Sequence, residues 1–225
     1  MGRGRATADD LVSAGSRAVY WLYVGAARVA DRVFKLPEML GAALLCVYPF
    51  LVTGFMHLDG YLDFTDAVKS WRDLDERRRI LKDPNAGSFA VAADAIIVMF
   101  QFALFASAKA DANWLALILI PTVSRAIAGL CITILRPMST SEYAGAYRKG
   151  VKKSHIVVFA VMLTVATTLG FVLLGRYGAV SLAVIAGYLV ALRRAFKSLD
   201  GMSGDISGYS LVFGELCGIA VYALI

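Results

Sequence analysis

The chain has 225 residues, 59% of them hydrophobic and 18% charged, with a mean hydropathy of +0.66 and a formal net charge of +6. A soluble domain is nearer half apolar and about a quarter charged, so an ordinary water-soluble globule is excluded. The three cysteines, Cys46, Cys131 and Cys217, stand singly inside apolar stretches; no pair has zinc-ligand spacing, and their odd count argues against a disulfide framework.

The basic start MGRGR leads into no compact apolar core with a small-residue cleavage site, so no cleaved signal peptide is read. Residues 11–30 are apolar but carry Arg17 and Arg28, and either span the membrane or lie on its surface. Six further windows, about 38–56, 88–108, 114–135, 155–174, 177–192 and 207–225, approach the roughly 20 apolar residues of a membrane-crossing helix. The predicted fold is all-α, a polytopic membrane helix bundle with about six or seven transmembrane helices. It forms one integral-membrane domain over 1–225, with an atypical N-terminal stretch over 1–36. Small residues along several helices serve packing, within one chain or in a homo-oligomer.

Basic residues concentrate in alternate connections. Lys69, Arg72, Arg77, Arg78, Arg79 and Lys82 lie in 57–87, Arg136, Arg148, Lys149, Lys152 and Lys153 in 136–154, and Arg193, Arg194 and Lys197 in 193–206. The intervening connections hold Lys109 and Arg176 alone. Positive loops stay in the cytoplasm, which predicts that the three long loops share the cytoplasmic face of the inner membrane. Six basic residues in 1–37 favour a seventh crossing by 11–30, which returns Arg3 and Arg5 to that face. The charge is read as topology and contact with the lipid bilayer, not as a nucleic-acid surface.

The stretch HLDGYLDFTD (57–66) follows the first of the six windows. Asp59, Asp63 and Asp66 are spaced i, i+4, i+7, which stacks three carboxylates on one face of a helix. An ordinary helix gains nothing from that repulsion at a membrane edge, whereas a hard divalent cation such as Mg²⁺ resolves it. His57 beside them suits a general base or a hydrogen-bonding partner to metal-binding carboxylates. A second acidic site lies in DGMSGDISGYSLVFGE (200–215): Asp205 where the chain enters the last helix, and Glu215 about three turns further in. An acid at that depth calls for a partner or an aqueous cavity. Asp94 and Arg125 are also intramembrane, and either pair with each other or leave Arg125 free to hold a phosphate. His155 reads as interfacial.

These residues resemble the cobalamin synthase (adenosylcobinamide-GDP ribazoletransferase) family. The resemblance begins near residue 40 and rests on HLDGYLDFTDA (57–67), KDPNAG (82–87), VSR (123–125) and GMSGDISGYSLVFGE (201–215) in that order. Ala67 stands where the family usually has Gly, Val212 where it often has another acid, and the first 35 or so residues lack its Thr-Arg-Leu-Pro-like opening. The resemblance implies an Mg²⁺-dependent transferase that joins alpha-ribazole, or its 5'-phosphate, to adenosylcobinamide-GDP and releases GMP. It implies His57, Asp59, Asp63 and Asp66 as catalytic residues. Asp59, Asp63, Asp66, Asp205 and Glu215 form the implied metal set, and Asp83, Gly87, Arg125 and Gly204 contact substrate. Two other readings compete. A CDP-alcohol phosphotransferase needs Ala-Arg after Asp-Gly, where this chain has Tyr61-Leu62. An ion-coupled transporter concentrates its acids near the midplane, whereas most here lie at one edge.

Overall fold

A computed structural model describes residues 36–109, 111–140 and 153–225. The window 11–30 and the basic residues Arg3, Arg5, Arg17, Arg28, Arg148, Lys149 and Lys152 lie outside the described residues, as does the Lys153 side chain. The elements are α1 (Glu38–Val52), α2 (Met56–Lys69), α3 (Leu74–Ile80), α4 (Ser88–Ala106), α5 (Ala116–Ile134), α6 (Lys153–Leu174), α7 (Ala179–Leu199) and α8 (Gly204–Leu224). Among the described residues there is no strand, and one isolated bridge joins Pro137 to Met202.

Each of the six apolar windows carries a helix. Among the described residues, four helical stretches are long and apolar enough to cross a membrane, or five if the bent pair α1 and α2 forms one span. The longest, Ser154–Leu199, contains a reversal and divides into α6 and α7. Gly175 takes φ +57 there, and a Cβ on Gly170 would lie 3.3 Å from Ser181 Oγ. In a continuous helix those two residues would stand about 16 Å apart, so α6 and α7 are a hairpin. Large apolar side chains such as Met99, Val172 and Val190 point outward, as lipid-facing surfaces require.

The segment 57–87, read from the sequence as a loop after 38–56, folds into two helices. The chain bends by 87° between α1 and α2, through Gly54 and Phe55 in the left-handed region. Helix α8 lies at the centre, packed against α7, α2 and α5. The core beside α2 includes Phe64, Leu58, Leu199, Met202 and Ile206, and a second core of Ile120, Val123, Val180, Val184 and Ile219 fills the other half. Cys46, Cys131 and Cys217 are free thiols.

Stretches of the three basic connections meet at one end of the bundle. The Arg78 guanidinium, only 14% exposed, donates to the carbonyl of Leu199 (3.2 and 3.0 Å) and of Asp200 (3.3 Å). These are terminal carbonyls of α7, which lack helical donors. The Asp200 carboxylate pairs with Arg136, and Arg78 stands 3.7 Å from it. Met202 N donates to the Arg136 carbonyl (2.9 Å) and Met138 N to the Met202 carbonyl (2.8 Å). Gly201, at φ +152, presses on Met138, and any Cβ there would collide with its backbone. Arg78→Ala strips several charged hydrogen bonds and is expected to cost about 1–3 kcal/mol in thermal or denaturant unfolding. Arg136→Ala removes an exposed pair and is expected to cost less than about 1 kcal/mol by the same measurement.

Candidate functional site

Helix α2 carries the predicted row. Asp59 lies in its first turn and is exposed, and Asp63 and Asp66 follow, half-buried. Ser203 caps α8, its hydroxyl accepting from Ile206 N (3.2 Å), and places Asp205 in the first turn, where the helix dipole favours an acid. The Ser203 hydroxyl also donates to Asp205 Oδ2 (3.3 Å).

Two glycines bring these elements together. A Cβ on Gly60 would lie 3.0 Å from Asp205 Cα, and one on Gly208 would lie 3.0 Å from the His57 carbonyl and 3.3 Å from Gly60 Cα. The helices therefore touch backbone to backbone in antiparallel sense, an approach side chains would prevent. Tyr61 stacks on Tyr209 at 5.7 Å and Phe64 packs on it at 4.1 Å, closing the apolar side of the contact. The charges acting most strongly on Asp63 are those of Asp59, Asp205 and Asp66, all of its own sign. Four carboxylates, separated by about 140 residues in sequence, thus share one end of the bundle. Among the described residues no group of three or more His, Cys, Asp or Glu side chains converges into a ready-made metal cage.

The KDPNAG segment adjoins the row. Asp83 is exposed and forms a local turn, its Oδ1 accepting from Asn85 N and Nδ2, both at 2.9 Å. Those hydrogen bonds, the backbone one first, hold the Asp83 carboxyl below the ordinary carboxylate range. Gly87, the N-cap of α4, sits directly against the Asp66 carboxylate, in the space a Cβ would take. Gly87→Ala displaces only the mobile end of Asp66. Its expected result is thermal stability within about 0.5 kcal/mol of wild type, with turnover at least about tenfold lower. Equal turnover would remove Asp66 from the working set.

Arg125 and Glu215 stand apart from the row. Ten residues of helix separate Glu215 from Asp205, about 15 Å along α8. Glu215 pairs with Arg125, and both side chains are about 15% exposed. The Ser124 hydroxyl donates to Glu215 Oε1 (2.6 Å) and accepts from Arg125 (2.8 Å). The pairing of Asp94 with Arg125 does not form. Glu215 takes Arg125, and Asp94 Oδ1 is buried with no hydrogen-bond partner among the described residues. His57, whose backbone lies against Gly208, is within electrostatic reach of Arg125. Gly204 is the first residue of α8. Sequence reading missed Ser124 as a partner of the pair and Arg78, Arg136 and Asp200 as the clasp behind Asp205. A serine beside an intramembrane arginine was the available signal for the first.

Fold and site define a polytopic helical membrane protein with crowded carboxylates at the end where its basic connections meet. A family model described as cobalamin-5-phosphate synthase matches residues 17–223, and the chain belongs to that family. The match begins well before residue 40, where the motifs had suggested it starts. Among curated relatives, the adenosylcobinamide-GDP ribazoletransferase of Clostridium perfringens (strain 13 / Type A) is 35% identical over 193 residues, covering 85% of this chain and 77% of its own length. That of Clostridium botulinum (strain Alaska E43 / Type E3) is 33% identical over 183 residues, covering 80% and 73%. That of Corynebacterium diphtheriae (strain ATCC 700971 / NCTC 13129 / Biotype gravis) is 28% identical over 195 residues, covering 82% and 70%. No solved structure matches the chain significantly.

Proposed function

We propose that this protein closes the nucleotide loop of adenosylcobalamin, joining alpha-ribazole or its 5'-phosphate to adenosylcobinamide-GDP and releasing GMP. The observation that carries the reading is the meeting of Asp59, Asp63 and Asp66 with Asp205 across the Gly60–Gly208 contact. A ribazole hydroxyl attacks the phosphorus attached to cobinamide, a new P–O bond forms, and the bond to GMP breaks. The hydroxyl proton passes to His57 or to a carboxylate of the row. Phosphoryl transfer of this kind needs positioning and charge neutralisation more than a covalent nucleophile.

Mg²⁺ suits the donor set, which is all carboxylate oxygen with no thiol, and to which no basic side chain is ion-paired among the described residues. Asp59, Asp63, Asp66 and Asp205 would hold it, and when bound it would neutralise charge on the diphosphate and the departing GMP. The open arrangement of these side chains suits an ion whose remaining ligands are water and substrate phosphate. Glu215, committed to Arg125, is left out of this set.

The protein in detergent, supplied with adenosylcobinamide-GDP, alpha-ribazole phosphate and Mg²⁺, is expected to yield GMP and the cobalamin product. A folded preparation that makes neither overturns the assignment. The same reading puts the acidic end on the cytoplasmic face of the inner membrane, because the basic connections gather there. A cysteine placed at Ser70 is expected to react with an impermeant thiol reagent only from the cytoplasmic side, and labelling from outside would invert the topology.

A further inference from the structure

A cavity of about 80 Å³ lies at membrane depth, flanked by α1 and α5. Its lining is mostly apolar and aromatic, with Tyr48, Phe105 and Trp114 among its walls. Its polar end is the Arg125–Glu215 pair.

Four features define what such a site accepts. First, an ion pair among membrane helices repays its desolvation only when further hydrogen bonds complete it, so keeping one beside a cavity points to use rather than to stability. Second, the pair is neutral overall, and a formal charge brought against it would go unmatched in a low-dielectric setting. Third, two of its wall helices each contain a proline. Pro49 and Pro121 interrupt α1 and α5, and each withdraws a backbone donor from the carbonyl four residues earlier, those of Leu45 and Leu117. All four of these residues line the cavity, together with the Glu215 carboxylate. Carbonyls released in an apolar medium call for a donor from elsewhere. Fourth, at about 10–15 Å³ for each water-sized group, the space holds roughly half a dozen such groups.

We propose that this cavity binds the head of a neutral amphiphile, a hydroxyl or carboxamide that donates hydrogen bonds, with its apolar body lying against α1 and α5. Such a head has two sources, an alcohol-headed lipid of the bilayer or a hydroxyl- or amide-bearing portion of a substrate. The inference does not depend on the proposed reaction, and its test needs no turnover.

The test is photolabelling of the full chain in liposomes with a long-chain alcohol carrying a diazirine, beside the ionised carboxylic acid of the same length. The alcohol is expected to label peptides containing Leu45–Pro49 and Leu117–Pro121, and the carboxylate to label them about tenfold less. Ile118→Trp and Leu45→Phe, which fill the cavity from opposite walls, are each expected to cut the alcohol labelling about tenfold without lowering the thermal unfolding midpoint. Competition by diacylglycerol supports the site with a bilayer source, and competition by adenosylcobinamide-GDP or alpha-ribazole supports it with a substrate source. Absent labelling, equal labelling by both probes, label confined to other segments, or label that survives in both folded variants overturns the proposal.

Discussion

Asp63→Asn is expected to lower turnover by about 10²–10³-fold while leaving the protein folded. The magnitude follows from the several kcal/mol of charge stabilisation a bound divalent ion supplies, at 1.36 kcal/mol per decade of rate. The stability readout makes the prediction specific. In the absence of metal, the charges of Asp59, Asp205 and Asp66 act on Asp63, so removing its charge relieves repulsion. The thermal unfolding midpoint of the metal-free variant is therefore expected to equal or exceed that of wild type. Adding Mg²⁺ should raise the midpoint of wild type, by the linkage of binding to folding, and raise that of Asp63→Asn less. Wild-type turnover in the variant would sink the role of Asp63. An Mg²⁺ response identical in the two proteins would sink the metal site while leaving the acid row in place.

Gly60→Val is expected to separate the two halves of the site. Its first added carbon would lie 3.0 Å from Asp205 Cα and 3.1 Å from the Asp205 carbonyl oxygen, and the branch adds more volume. Both contacts are backbone, so a side-chain rotation cannot relieve them and α2 must move away from α8. Overpacking of this kind costs about 1–3 kcal/mol. A displacement near 1 Å between catalytic groups costs about 10²-fold in rate, so turnover should fall well beyond the fraction unfolded. Unfolding monitored by heat in detergent, together with GMP release, separates the two effects. A variant that is less stable yet turns over at the wild-type rate per folded molecule would show that the Gly60–Gly208 contact serves packing alone.

The two predictions draw on different kinds of legibility. Asp59, Asp63 and Asp66 could be placed on one helical face from spacing alone, because the 3.6-residue period is written along the chain. The apolar windows were equally plain, since lipid demands long apolar runs wherever a helix crosses. Even the gathering of the three basic connections followed from charge, and Arg78, Arg136 and Asp200 supply its physical form. Segment 57–87 was harder. Its polar character reads as a loop, yet α2 packs a buried face of Leu58, Tyr61, Phe64 and Thr65 against the bundle.

Partner choice was least legible. Arg125 had two acids within plausible reach, and nothing in the order of residues favours Glu215 over Asp94. Glu215 likewise reads as a companion of Asp205 until the rise of α8 carries it about 15 Å away. The sequence by itself determined an all-helical membrane chain, the row of carboxylates on α2 and the end of the molecule at which its charges collect. Those properties depend on composition and on periods of a few residues. Only the tertiary structure decided that Asp205 joins the row and that Glu215 closes on Arg125 and Ser124. Such partnerships depend on where two backbones can approach, and here that place is the unoccupied Cβ space of Gly60 and Gly208.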